Sequence, residues 1–197
     1  MNEVRREKLE KVLLQRQFDL TVVMENVHDP HNISAVMRTC DAVGIQEIYV
    51  LNTSIRPHKR FGAKSSSSAA KWLTVHHFTN LDDCVRALRE KYQKIYTTHL
   101  TEKSIELYSL NLTEPVALVF GNEHEGVSVD FRERADGNFI IPQVGIIQSL
   151  NISVACAVSI YEAHRQKTLA HHYQPGRSVD DPAYKRTAID WGLRSGG

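Results

Sequence analysis

The sequence predicts an α/β protein whose mostly parallel sheet is covered by helices on both faces. Strand patterns and helix patterns alternate along most of the 197 residues, which is typical of parallel strands joined by crossover helices. The segment VALVFGNE at positions 116–123 opens with a continuous apolar run, which indicates a strand buried on both faces. The length suffices for one domain with a sizeable core.

Hydrophobic spacing and turn residues place the elements in order. Ile33, Val36, Met37 and Cys40 recur at helical spacing, and Gly44 ends that helix. The other segments are interpreted in the same way. The predicted strands are 20–27, 47–52, 73–78, 94–100, 116–123 and 138–142, and the predicted helices are 2–17, 31–43, 81–92, 126–136 and 151–167.

These elements predict one main domain with two terminal appendages. Residues 1–18 form a basic helical extension, residues 19–168 the main domain, and residues 169–197 a tail. We expect the tail to be a loop followed by a short amphipathic helix around Tyr184 and Trp191, outside the core.

The overall charge of +1 hides a strong asymmetry. Residues 55–71 carry five bases and no acid, so 5 − 0 = +5, whereas residues 101–136 carry three bases and eight acids, so 3 − 8 = −5. The basic segment is able to face an anionic partner, although a solvated loop explains the charge equally well.

The cysteine pattern and the N-terminus indicate a cytoplasmic protein. Cys40, Cys84 and Cys156 are odd in number and far apart, so we interpret them as buried thiols in a reducing compartment. The charged N-terminus has no apolar signal core, and no apolar run is long enough for a membrane span. No HExxH motif is present among the ten histidines, and we expect no metal.

Polar clusters follow three of the predicted strands, where open parallel sheets bind their ligands. The first cluster contains Asn32, a possible helix cap, and Arg38; the second, FGNEHEG, has Glu123 at its centre. The third, QSLNIS, contains Ser149, a possible cap of the last helix, and Asn151. Read singly, each cluster is explained as well by capping or by surface polarity. Together they predict one polar site at the edge of the sheet.

Two nucleotide-binding motifs are excluded at these clusters. The GxxxxG spacing of FGNEHEG lacks the Lys-Ser/Thr pair of a phosphate-binding loop. No GxGxxG fingerprint follows a strand, which argues against a nucleotide-dependent oxidoreductase.

Three segments together resemble the motifs of the SPOUT superfamily of methyltransferases. They are NVHDPHNISAVMRTCDAVG, LVFGNEHEGVS and IIPQVGIIQSLNISVACAV. Within the superfamily they are most similar to the TrmH type, the tRNA guanosine-18 2'-O-methyltransferases. The likeness is strong from residue 19 to residue 167 and weaker in both extensions.

The resemblance implies a trefoil knot in the C-terminal part, a homodimer whose active site is completed across its interface, and S-adenosylmethionine as methyl donor. It assigns cofactor contacts to Thr98, Gly121, Ile141 and Leu150. It places Arg38, Asn32, Glu123, Ser149 and Asn151 around the reacting ribose hydroxyl.

For the chemistry we prefer Arg38 as a cation that stabilises the developing alkoxide, because a guanidinium is a poor proton acceptor. A neighbouring RNA phosphate is a possible acceptor of the proton. Contacts with tRNA phosphates are expected from basic side chains of the N-terminal extension and the basic segment, and from a histidine of the first polar cluster. They are His31, Arg5, Arg6, Arg16, Arg56, Lys59, Arg60, Lys64 and Lys71.

Two alternatives stay open at this stage. The first keeps the chemistry and changes the substrate to ribosomal RNA or to the wobble position of tRNA; the terminal extensions favour tRNA. The second is a non-catalytic RNA-binding module, against which the complete polar set at the three motifs argues.

Overall fold

The computed structural model describes residues 1–57, 69–147 and 149–194. In this part of the chain a single sheet has the strand order β3-β2-β1-β6-β4-β7-β5, and every pairing in it is parallel. The strands are β1 (Leu20–Glu25), β2 (Glu47–Leu51), β3 (Thr74–Phe78), β4 (Lys94–Thr98), β5 (Ile105–Glu106), β6 (Val116–Phe120) and β7 (Gly137–Ile140). The helices are α1 (Glu3–Leu13), α2 (Pro30–Ala42), α3 (Leu81–Arg89), α4 (Val129–Arg134), α5 (Ile152–Leu169) and α6 (Pro182–Asp190).

Both faces of the sheet are covered, as the apolar strand at 116–120 predicted. Successive side chains of a strand point to opposite faces, and in β6 Leu118 packs into one apolar cluster while Val119 packs into the other. The first cluster is covered by α2 and α5, and the second contains Cys84 of α3 and Phe131 of α4. The central strands β1, β2 and β6 are buried along their whole length.

The three cysteines are free and buried, in line with the sequence prediction. Burial, with a smaller contribution from the charge of Glu25, raises the pKa of the Cys84 thiol to about 12. A thiol with so high a pKa is a poor nucleophile at neutral pH, so Cys84 belongs to the core.

The two terminal extensions pack on each other. Leu13 at the end of α1 shares an apolar cluster with Phe18 and with Tyr184, Ala188 and Leu193 of the tail. The tail helix was predicted at the right place, and Tyr184 is buried in this cluster, which is separate from the two clusters that cover the sheet. The first helix also ends four residues earlier than predicted, at Leu13.

Candidate active site

Hydrogen bonds join three of the five predicted catalytic residues at the carboxyl edge of the sheet. The Asn32 Nδ2 donates to Glu123 Oε1 at 2.6 Å, and the Asn151 Nδ2 donates to Asn32 Oδ1 at 3.2 Å. Asn32 lies in the first turn of α2, Glu123 in the loop after β6, and Asn151 at the start of α5. Since β1 and β6 are neighbours, the segments that follow them meet at one place.

The cap of α5 sets the orientation of this chain of side chains. The Asn151 Oδ1 accepts hydrogen bonds from the Ser153 backbone N at 2.9 Å and from the Ser153 Oγ at 2.6 Å. The Asn151 amide nitrogen must therefore face Asn32 and donate to the Asn32 Oδ1. The Asn32 amide nitrogen then faces Glu123. Ser153 was not predicted as a member of this chain; the spacing Asn-x-Ser at a helix start is the signal for it.

Neither of the two possible helix caps that the sequence offered at this edge is the actual cap. Asp29, and not Asn32, caps α2 by accepting from the His31 backbone N at 2.8 Å. Asn151, and not Ser149, caps α5. In each case the cap lies a few residues from the predicted one, and Asn32 and Asn151 are still part of the site.

Arg38 and Ser149 lie on the same two segments as these residues. Arg38 is exposed on α2, six residues after Asn32, whereas its neighbours Ile33 and Met37 are fully buried. Ser149 is exposed two residues before the cap of α5. Both side chains are thus exposed to solvent on segments that meet at this edge.

Three of the predicted cofactor residues lie at the ends of neighbouring strands. Thr98 is the last residue of β4, Gly121 directly follows β6, and Ile141 directly follows β7. The sheet order places β4 between β6 and β7, so these residues line one stretch of the edge. Leu150 lies further along the chain, just before α5, and is half-buried like Thr98 and Ile141.

The loop after β6 turns so tightly that Gly121 has no room for a side chain. A Cβ at Gly121 would lie 1.9 Å from the backbone carbon of Gly126, and Gly126 itself has φ of +69°. The Asn122 Oδ1 accepts from the backbone N of His124 at 2.9 Å and of Glu125 at 2.7 Å. The turn therefore presents Glu123 at its exposed apex, opposite Asn32.

The predicted RNA-binding residues separate into exposed and buried side chains. Arg16 is buried, donates to Asp41 Oδ1 at 2.5 Å and lies over the ring of Trp191. Its guanidinium is engaged within the protein, which overturns the predicted contact with phosphates. The exposed members are Arg5, Arg6, His31, Arg56 and Lys71, and the members that lie outside the described residues are Lys59, Arg60 and Lys64.

In the part of the chain that the structure describes, no three His, Cys, Asp or Glu side chains form a group that could hold a metal ion. None of the described helices combines the length and the apolarity that a membrane span requires.

Comparison with known proteins agrees with this arrangement. Residues 19–161 match the family described as SpoU rRNA Methylase. The chain belongs to this family. It is 41% identical over 190 residues to a tRNA (guanosine(18)-2'-O)-methyltransferase of Thermus thermophilus, with 96% of each protein covered.

Solved structures of SpoU methylases share the fold. The TrmH/SpoU tRNA modifying enzyme of A. aeolicus superposes with a TM-score of 0.84 at 33% identity, and 98% of each chain is covered. The SpoU methyltransferase AviRb of Streptomyces viridochromogenes, solved in complex with AdoMet, superposes with a TM-score of 0.66 at 25% identity over 75% of this chain and 57% of that one.

Proposed function

We propose that this SpoU methylase transfers a methyl group from S-adenosylmethionine to the ribose 2'-hydroxyl of guanosine 18 in tRNA. The observation that carries the chemistry is the hydrogen-bonded chain of Asn151, Asn32 and Glu123 at the carboxyl edge of the sheet. The likeness to the Thermus thermophilus enzyme covers 96% of this chain and so reaches into both terminal extensions, which favours tRNA over ribosomal RNA as substrate.

The residues at the strand ends fit the proposed cofactor. The adenine ring of S-adenosylmethionine suits half-buried aliphatic walls, which Ile141 and Leu150 provide, and its polar groups suit the backbone groups at the strand ends. Thr98 adds a hydroxyl beside the end of β6, donating to the Val119 carbonyl at 3.3 Å. When bound, S-adenosylmethionine supplies the methyl group as an electrophile.

The polar chain orients the ribose for attack. Methyl transfer requires the hydroxyl oxygen, the methyl carbon and the sulfur in line, and such alignment lowers a barrier by roughly 7–11 kcal/mol. Asn32, Asn151 and Ser149 can each donate to or accept from ribose hydroxyls, and Asn32 is already held by Glu123. The 2'-hydroxyl as acceptor itself selects RNA over DNA.

Arg38 neutralises the charge that develops when the hydroxyl loses its proton. A guanidinium is a poor proton acceptor, so Arg38 stabilises the alkoxide rather than taking the proton. The adjacent RNA phosphate, which Arg38 can orient with its second pair of donors, takes the proton.

We further infer that two copies of the chain assemble in the cytoplasm and that each carries the C-terminal trefoil knot of the resemblance. Exposed large apolar side chains support the assembly, because their burial against a second copy would be favourable. They are Val144, Ile146 and Ile147 in the loop before α5, and Val154 and Tyr161 on α5 itself. Val154 and Tyr161 are seven residues apart and so share one face of the helix.

The test is a methyl-transfer assay with labelled S-adenosylmethionine and unmodified tRNA in the presence of a chelator, followed by mapping of the modified nucleotide. We expect one 2'-O-methylguanosine at position 18, and no label in tRNA that carries 2'-deoxyguanosine there. Label elsewhere in tRNA, label only in ribosomal RNA, or dependence on added metal would refute the assignment.

A further inference from the structure

Glu25 is a buried carboxylate for which the reaction described above has no use. It is the last residue of β1 and only 2% exposed. Its Oε1 accepts from the Ser128 Oγ at 2.6 Å, and its Oε2 accepts from the Ser128 backbone N at 2.8 Å. Both carboxylate oxygens are therefore used on one residue, the N-cap of α4.

Hydrogen bonds to an ionised carboxylate are short and stronger than those between neutral groups. A buried carboxylate also requires such partners, because an unsatisfied one is very costly. The paired bonds consequently fix Ser128 firmly to the end of β1. Ser128 in turn accepts from the Phe131 backbone N at 3.2 Å, so the start of α4 is fixed with it.

The loop between β6 and α4 is thereby held at both ends by successive residues of β1. At its beginning, Phe120 of β6 is paired with Met24 of β1. At its end, Ser128 is bound by Glu25. Between these points the Asn122 side chain and the close approach of Gly121 to Gly126 keep the turn compact.

We propose that Glu25 is a positioning residue that holds this loop so that Glu123 at its apex meets Asn32. The inference rests on the proposed function, in which Asn32 and Glu123 orient the ribose. Glu25 does not touch the substrate in this proposal; it acts through Ser128 and the loop. A loosened loop would misplace Glu123, and a misplacement of about 1 Å can lower turnover by about 100-fold.

Substitutions at Glu25 separate hydrogen bonding from charge. Glu25→Met keeps the approximate volume and removes both acceptors. Glu25→Gln can keep both bonds, since its oxygen accepts from the Ser128 N–H and its amide donates to the Ser128 Oγ once that hydroxyl rotates. We expect kcat to fall by about 10- to 100-fold in Glu25→Met, with KM for tRNA and cofactor within about twofold, and near-wild-type kcat in Glu25→Gln.

The matched control is Glu47→Met. Glu47 is a second buried glutamate, 3% exposed, at the opposite end of the sheet, where it pairs with Lys91 and His76. This substitution should lower the melting temperature while leaving kcat unchanged. A fall of kcat in Glu47→Met equal to that in Glu25→Met would reduce Glu25 to a stability residue.

A double-mutant cycle tests the route through Glu123. In a Glu123→Gln background, Glu25→Met should cause no further loss of kcat beyond about twofold, because its effect is already absent. The proposal would be overturned if the kcat losses of the two single variants multiplied in the double variant. It would also be overturned by an unchanged kcat in Glu25→Met alone. Should Glu25→Met fail to fold, Ser128→Ala takes its place in the same cycle, because it removes one of the two hydrogen bonds to Glu25. We expect a smaller fall in kcat in this variant, and an unchanged kcat would contradict the proposal.

Amide hydrogen exchange gives a readout that does not depend on the reaction. In Glu25→Met, or in Ser128→Ala, the amides of His124, Glu125 and Gly126 should exchange at least about tenfold faster than in the wild type, whereas amides of β1 keep their rates. Unchanged exchange refutes the positioning role. If the wild type methylates no tRNA, the proposed function fails, and the exchange rates still decide whether Glu25 holds the loop.

Discussion

Arg38 should carry catalysis and not folding. It is exposed on α2, while Ile33, Val36 and Met37 of the same helix form part of the core. The loss of a single charge-stabilising donor costs about 100-fold or more in turnover. We therefore expect Arg38→Ala to lose nearly all methyl transfer at saturating tRNA and cofactor, with a melting temperature and a cofactor Kd close to those of the wild type.

Arg38→Lys is the matched control for charge. It should recover little, because an ammonium cannot present the planar pair of donors of a guanidinium. Retention of more than about a tenth of wild-type kcat by Arg38→Ala would contradict the assigned role. A variant that does not fold would instead assign Arg38 to the structure.

Asn26 shows how a single backbone conformation fixes a residue type. It has φ of +50°, and its Oδ1 accepts from the backbone N of Thr53 at 2.9 Å and of Ser54 at 3.0 Å. Asn26→Ala loses these bonds and must hold a left-handed backbone, which costs about 1–2 kcal/mol by itself. Denaturant unfolding should give a free energy of unfolding that falls in the order Asn, Asp, Gly, Ala at position 26. Equal stability of the Gly and Ala variants would refute the backbone strain.

At the scale of elements, much was predictable because periodicity and turn residues act locally. The strands at 47–51 and 116–120 and the helix at 152–169 were located closely. The caps were not, since Asp29 and Asn32 are both good capping residues and only the path of the backbone decides between them. The two-residue strand β5 was missed because so short a strand has no period.

An ion pair ties α5 to the start of β1. The Lys167 Nζ, fully buried, donates to Asp19 Oδ1 at 2.8 Å. Burial acts to raise the pKa of Asp19, but the charges of Lys167 and Arg177 outweigh burial and hold that pKa below its usual value. Burial also lowers the pKa of Lys167, so this ammonium depends on its carboxylate.

Asp19→Asn should therefore destabilise the protein at neutral pH by about 3 kcal/mol, as expected when one partner of a buried pair is removed. Because the pKa of Asp19 is lowered in the folded state, its stabilisation is complete above the unfolded value of about 3.9 and is lost as the pH falls through the folded value.

Thermal unfolding from pH 7 to pH 3 tests this prediction. The difference in melting temperature between wild type and Asp19→Asn should narrow below about pH 4. The control is Asp82→Asn, which removes an exposed partner of Arg134 and should change little. A difference that is constant with pH would contradict the assigned role of Asp19.

The basic segment 55–71 should contribute to RNA affinity through phosphates. Arg56 and Lys71 are exposed, and each phosphate contact that is lost should reduce the slope of log K against log salt by about 0.7–0.9. We expect this reduction in Arg56→Gln and Lys71→Gln, with an unchanged cofactor Kd. The control is Lys103→Gln, because Lys103 is exposed and lies in the acidic stretch 101–136. Unchanged slopes in both test variants would contradict a role of the basic segment in RNA binding.

For the whole molecule, the class of fold followed from the sequence but the strand order did not. Alternating strands and helices are compatible with many orders, because parallel neighbours are chosen by packing between distant segments. The convergence of Asn32, Glu123 and Asn151 depends on that order, since it places β1 beside β6. The burial of Arg16 and Glu25 was equally hidden, because a charged residue type gives no sign of a buried partner.

An exposed apolar face of α5 allows the proposed assembly of two copies to be tested. Tyr161 on α5 is 52% exposed, on the same face as Val154. If a second copy covers this face, Tyr161→Glu places a carboxylate in an apolar interface, and loss of a central aromatic typically costs 2 kcal/mol or more, about 30-fold in Kd. Tyr108→Glu is the control for an exposed tyrosine on another element, because Tyr108 is 57% exposed and lies in the short turn after β5 rather than on α5.

Sedimentation equilibrium of the three proteins at equal concentrations tests the prediction. Wild type and Tyr108→Glu should sediment as dimers, and Tyr161→Glu should shift toward the monomer. Turnover should fall in proportion to the dimer lost, because the resemblance implies an active site completed across the interface. A dimeric Tyr161→Glu would remove this face from the interface, and a fully active monomer would remove the need for a second copy.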